Sequence, residues 1–160
     1  MKTITSIVLS AFLFAIPFQT SGATTDKNTF EVSDNIFEAV KNIDITSLNI
    51  LLSGGTDVNS VNQDGETPLM IASEIGNMRM LNILLVHNPD VNMENQNGMT
   101  ALMIAAENGQ LYVADRLIQE GAKTDIKNNR GETAVELAAK NGHKEVLELL
   151  NGKEVAGFSR

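Results

Sequence analysis

The chain has 160 residues, 12 of them basic and 20 acidic, a formal net charge of −8, 42% hydrophobic residues and no cysteine. That length accommodates one modest domain with a buried core, and the composition is neither disordered nor collagenous. Without cysteine there is no disulfide framework, thiolate metal site, cysteine nucleophile or lipidated cysteine, and the acidic balance argues against nucleic acid, whose binders display a basic face.

At the N-terminus, Lys2 precedes an apolar run from about Ile4 to Phe18, followed by Gln19-Thr20-Ser21-Gly22-Ala23. This pattern reads as a secretory signal over residues 1–23, with the small residues Ser21 and Ala23 at the third and first positions before a cut after Ala23. The run falls short of the roughly 20 apolar residues a membrane helix needs, and Pro17 and Gln19 interrupt it. The mature chain is therefore expected to be exported and to keep no membrane span. Removing residues 1–23 takes away one lysine and no acid, so the net charge moves from −8 to −9. A linker over residues 24–33 follows. Residues 24–61 hold six acids and two bases, and residues 62–94 five and one, whereas residues 95–127 hold four and three and residues 128–160 five of each. An acidic N-terminal half serves solubility or steers a partner that carries a basic patch.

From the linker onward the chain repeats itself. Gly65, Gly98 and Gly131 are spaced by 33, as are Thr67, Thr100 and Thr133; Ala72, Ala105 and Ala138; Gly76, Gly109 and Gly142; and Leu84, Leu117 and Leu150. Stepping back by the same interval reaches Ala39 and Leu51, so a degenerate unit precedes the three.

Each unit reads as two short helices. Thr67, Thr100 and Thr133 are placed to cap the first helix, Pro68 suits the first helical position, and Thr133 with Glu136 forms a capping box. The first helix ends at Gly76, Gly109 or Gly142, which take the left-handed conformation past a helix end. The second helix carries an apolar stripe (Met80, Ile83, Leu84; Leu111, Val113, Leu117; Val146, Leu147, Leu150) and closes at Gly55, Asn88 or Gly121, residues that tolerate positive φ. Polar loops then lead into turns at Asp64-Gly65, Asn97-Gly98 and Arg130-Gly131.

Units of 33 residues that carry Gly65-Glu66-Thr67-Pro68-Leu69-Met70-Ile71-Ala72 resemble ankyrin repeats. The resemblance covers residues 34–153: an N-terminal capping unit (34–61), two full repeats (62–94 and 95–127) and a C-terminal capping repeat (128–153), with a tail, 154–160, expected to be disordered. It implies an all-α solenoid of about four helix-turn-helix units joined by β-turn loops. Two departures stand out. Met70, Met103 and Glu136 occupy the place of the family's signature histidine, which puts its inter-repeat hydrogen bonds in doubt and leaves Met70 and Met103 as adaptable core filler. Asn88-Pro89 replaces a glycine-alanine pair, which points to a differently bent loop.

Catalytic signals are weak. His87 and His143 are 56 residues apart and lie in no metal-ligand pattern, and neither a G-x-S-x-G elbow nor a phosphate-binding G-x-x-x-x-G-K-[ST] loop occurs. Glu74 and Glu107 recur at equivalent places on successive first helices, so a carboxylate-dependent hydrolase is the alternative in the enzyme class. No catalytic residue, metal or cofactor is assigned. The resemblance implies a binding platform made of loop tips and the solvent end of each first helix. Its contact positions are Gln63, Asp64, Glu66, Glu74 and Ile75; Gln96, Asn97, Met99, Glu107 and Asn108; and Asn129, Arg130, Glu132, Lys140 and Asn141. Among these, Ile75 and Met99 are expected to be apolar anchors at otherwise polar places. Tyr112 falls beside Arg79 and Glu145 by register, on the outer helices, as a possible second contact face. The expected protein is a monomeric bacterial periplasmic binder of another protein, an inhibitor or immunity protein, or an accessory factor of an envelope enzyme. A secreted effector that binds host proteins is its variant, and a passive structural spacer with no partner is a third option.

Overall fold

The structure, a computed structural model, describes residues 35–152; the expected signal, the linker and the tail lie outside the described residues. Eight helices and no strand are found among the described residues: α1 (Ile36–Lys41), α2 (Ile45–Ser53), α3 (Pro68–Ile75), α4 (Met78–Val86), α5 (Ala101–Glu107), α6 (Leu111–Gln119), α7 (Ala134–Asn141) and α8 (Lys144–Leu150). They form four antiparallel pairs. The first helices α1, α3, α5 and α7 stack in series, and the second helices α4, α6 and α8 stack behind them. This is an all-α repeat solenoid.

Local chemistry sets the helix limits where the sequence places them. The Thr67, Thr100 and Thr133 side chains accept from the backbone N–H groups of Met70, Met103 and Glu136, and Pro68 opens α3, where its missing N–H leaves nothing unpaired. Glu136 reaches back to the Thr133 N–H at 2.6 Å, completing the expected capping box. Past the first helices, Gly76, Gly109 and Gly142 take φ of +76°, +70° and +77°. Past the second helices, Gly55, Asn88 and Gly121 take +90°, +51° and +88°, so the Asn88-Pro89 loop keeps the left-handed residue of its glycine counterparts.

Packing follows the period. Ala39, Ala72, Ala105 and Ala138 are fully buried, as are Leu84 and Leu117. Each buried leucine contributes about 1.5–3 kcal/mol relative to exposure. Met70 and Met103 are core residues at 1% exposure, and the Met70 sulfur accepts from the Thr67 N–H at 3.4 Å. The thioether thus fills the histidine position and satisfies a buried donor of its own unit.

One unit breaks the glycine rule. Ile43, between α1 and α2, stands in register with Gly76, Gly109 and Gly142 and takes φ +57°, a conformation unfavourable for a β-branched residue. The reason it is tolerated lies in the next unit. Gln110 and His143 give α6 and α8 no side-chain cap; instead they cross to the preceding unit, where Gln110 Nε2 donates to the Glu74 carbonyl at 3.2 Å and His143 Nε2 lies 2.9 Å from the Glu107 carbonyl oxygen. These side chains fill the space a Cβ on Gly76 or Gly109 would need. Asn77, the residue at that place opposite Ile43, caps its own helix through Arg79 N–H and Met80 N–H. Ile43 therefore meets no bridging side chain of this kind.

Candidate functional site

The loop tips before each first helix are built on an asparagine that repeats with the same period. Asn62 Oδ1 accepts from the N–H groups of Asp64 and Glu66, Asn95 Oδ1 from those of Asn97 and Met99, and Asn128 Oδ1 from those of Arg130 and Glu132, all at 2.9–3.0 Å. This turn chemistry fixes the backbone of each tip. The tips are then stitched to one another. Gln96 N–H donates to the Asp64 carbonyl and Asn129 N–H to that of Asn97 (3.1 and 3.0 Å), while Gln96 Nε2 donates to the Gln63 carbonyl and Asn129 Nδ2 to that of Gln96 (2.7 and 2.9 Å). A second ladder joins the loops after the second helices: Asn59 Oδ1 accepts from Asp90 N–H and Asn92 Oδ1 from Lys123 N–H, both at 2.8 Å.

These bonds divide the expected contact residues. Gln63, Asp64 and Asn97 are exposed and lend the ladder only their backbone carbonyls; Gln96 and Asn129 are exposed but commit side-chain donors to it. Asn108 and Asn141, also exposed, donate Nδ2 to the Ile104 and Leu137 carbonyls at 2.9 Å and so tie off α5 and α7. Glu66, Glu107 and Glu132 are half-buried. Glu74 and Ile75 are exposed at the end of α3.

Met99 corrects the sequence reading. It is 7% exposed and packs in the core, with the Asn128 amide 3.4 Å from its sulfur. Its counterparts Glu66 and Glu132 accept from Asn62 and Asn128 of their own tips; a thioether at that place turns inward beneath the following tip. Met99 is a packing residue and cannot anchor a partner. Ile75, at 38% exposure, retains the surface position expected of it.

Charge is distributed unevenly over this surface. In the last unit Glu132 receives Arg130 Nε at 2.6 Å and Lys140 Nζ at 2.8 Å, and Arg130 also lies 3.9 Å from Glu107. The Lys140, Arg130 and Asn128 hydrogen bonds hold the Glu132 carboxyl down at about 2, and the Glu132 hydrogen bond pushes the Arg130 guanidinium up. Glu132 is therefore neutralised within the fold. Asp64, Glu66 and Glu74 at the other end enter no ion pair among the described residues.

Glu74 and Glu107 differ in surroundings: Glu107 has Arg130 within 4.0 Å and Glu74 has no cation at that range among the described residues. The cavity beside α1, lined by Asn35, Phe37, Glu38, Lys41 and Val61 to Asp64, includes neither. Among the described residues no group of three or more His, Asp or Glu is disposed to hold a metal ion, and no helix is long and apolar enough to cross a membrane. The outer helices expose Ile50, Val86 and Tyr112 at 51%, 77% and 66%, spread over α2, α4 and α6.

A stack of helix pairs whose tips are held by backbone ladders is a repeat scaffold that presents side chains, and its class is that of the helical interaction repeats. The description of ankyrin repeats (three copies) matches residues 36–128 and 77–157, and the chain belongs to that family. A comparison with curated proteins found no match. Ankyrin repeats are in general protein-interaction modules and typically non-catalytic, as the sequence resemblance implies.

The Asn62, Asn95 and Asn128 tips and the Gln110 and His143 bridges escaped the sequence reading of the site. The asparagines were detectable, since they follow the 33-residue period one for one. The bridges were not, because Asn77, Gln110 and His143 share a register position but no residue type.

Proposed function

We propose that this chain is an exported, non-catalytic protein that binds another protein through the concave side formed by its first helices and loop tips. In this reading its home is the bacterial periplasm, and its task is to inhibit, confer immunity to, or support an envelope enzyme. One observation carries the choice of surface. Asp64, Glu66 and Glu74, in the unit that exposes Ile75, enter no ion pair among the described residues, whereas Glu132 is matched by Arg130 and Lys140. Uncompensated acids beside an apolar anchor suit a basic protein surface with an apolar residue at its centre. The export reading rests on the sequence pattern of residues 1–23.

The test is crosslinked co-purification of the tagged mature protein from its own envelope fraction, followed by association kinetics with the captured protein at increasing salt. Association through the acidic end slows as salt rises, since surface charges are screened beyond about 10 Å at 0.1 M. An on-rate indifferent to salt contradicts the electrostatic part. Failure to capture any protein contradicts the binding reading and favours a spacer.

A further inference from the structure

Four Asn-Gly steps occur in the sequence, at 97–98, 108–109, 141–142 and 151–152. This dipeptide is the one most prone to spontaneous deamidation, because a glycine nitrogen is the least hindered nucleophile toward the preceding side chain. All four have the same following residue, so the fold decides which reacts. The reaction needs the asparagine amide free to rotate and the glycine N–H free to lose its proton and approach Cγ.

Three steps are held. Gly98 is buried, its N–H donates to the Asn95 carbonyl at 2.9 Å, and the Asn97 carbonyl accepts from Asn129 N–H. Asn108 and Asn141 have their amides bound to the Ile104 and Leu137 carbonyls, and each step lies at the joint between the first and second helix of its unit. The fourth, like Asn97, is held only through its backbone, but its glycine is exposed where Gly98 is buried. Asn151 follows the last turn of α8 and is exposed; its side chain makes no hydrogen bond within the described residues, and the Gly152 N–H donates to the Leu149 carbonyl at 3.0 Å past the helix end. Hydrogen bonds at a helix end open more readily than those held between packed helices.

We infer that Asn151-Gly152 is a site of spontaneous covalent modification at which asparagine converts to aspartate and isoaspartate in the folded protein. The Gly152 nitrogen gives up its proton to base and bonds to Cγ of Asn151; the Cγ–Nδ2 bond breaks and ammonia leaves, closing a succinimide. Water then opens one of the two ring C–N bonds. The net change is amide plus water to carboxylate plus ammonium, with no other reactant. The product sets a negative charge past the end of α8, where the helix carbonyls are already negative and Glu148 is three residues back. It therefore loosens the last unit, whose second helix contributes Val146 and Leu149 to the core.

The experiment is peptide mapping of the full mature chain after incubation in mildly alkaline buffer, folded and in urea. In the folded protein, isoaspartate accumulates at 151 about tenfold or more faster than at 97, 108 or 141, the ratio that a difference of about 1.4 kcal/mol in local opening produces. In urea the four rates converge. Asn151→Gln abolishes the product at 151 and leaves the other three sites unchanged. Equal rates at all four sites in the folded protein overturn the inference, as does retention of the same ranking in urea.

Discussion

Gly109→Ala tests the idea that glycine and a bridging side chain are matched across neighbouring units. A Cβ on Gly109 would stand 2.5 Å from His143 Nδ1 and 2.7 Å from Cε1, at a φ of +70°. The left-handed conformation alone costs an alanine about 1 kcal/mol. The ring must also move, which breaks its contact at 2.9 Å with the Glu107 carbonyl and removes about 1 kcal/mol more. The expected loss is about 2–3 kcal/mol. Gly142→Ala is the control, since Gly142 has nearly the same φ, +77°, but no described residue within 4 Å of a built Cβ. It should lose only about 1 kcal/mol. Urea unfolding followed by circular dichroism gives both values. In a His143→Ala background the cost of Gly109→Ala should fall to that of Gly142→Ala, the coupling that a double-mutant cycle isolates. Equal costs for the two glycines in the unaltered background would refute the reasoning.

Ile43→Gly should stabilise the fold by about 0.5–1 kcal/mol, because relief of a left-handed β-branched residue outweighs the entropy of glycine; a lower urea midpoint contradicts this. Asn128→Ala should cost about 1–3 kcal/mol by leaving the Arg130 and Glu132 N–H groups without their acceptor, read from the same unfolding curves, with an unchanged midpoint as the contrary result. The Glu132 carboxyl ionises at about 2 when folded, against an ordinary value of 4.5. Its stabilisation is therefore complete above about pH 4.5 and disappears as pH falls toward 2, and Asp44 and Glu136, both lowered, add in the same direction. Glu132→Gln should flatten the acid limb of stability against pH, and an unaltered limb contradicts the assignment.

The period, the threonine caps and the helix-ending glycines were legible because each depends on a few neighbouring residues and recurs every 33. Met99 misled because its burial depends on Asn128, which lies 29 residues further on and belongs to the next unit. By register it looked like Glu66 and Glu132, which stay at the surface edge as carboxylates. Ile43 hid a strained conformation for a similar reason. Only the short Asn77, placed to cap α4, explains why a side chain fits there. Contacts that run between units are invisible to patterns read within one, and the ladder of Gln96 and Asn129 is of that kind.

The central claim is that a protein partner is bound by the first-helix side at its acidic end. The most direct measurement is affinity of the captured partner for two folded variants. Glu74→Lys/Ile75→Asp alters the proposed surface, and Tyr112→Asp alters the outer helices; all three residues are exposed. Binding should fall at least about tenfold in the first, the cost of a lost anchor of about 1.4 kcal/mol or more, and stay unchanged in the second. Full binding by the first variant, with loss in the second, would move the interface to the outer helices and contradict the account.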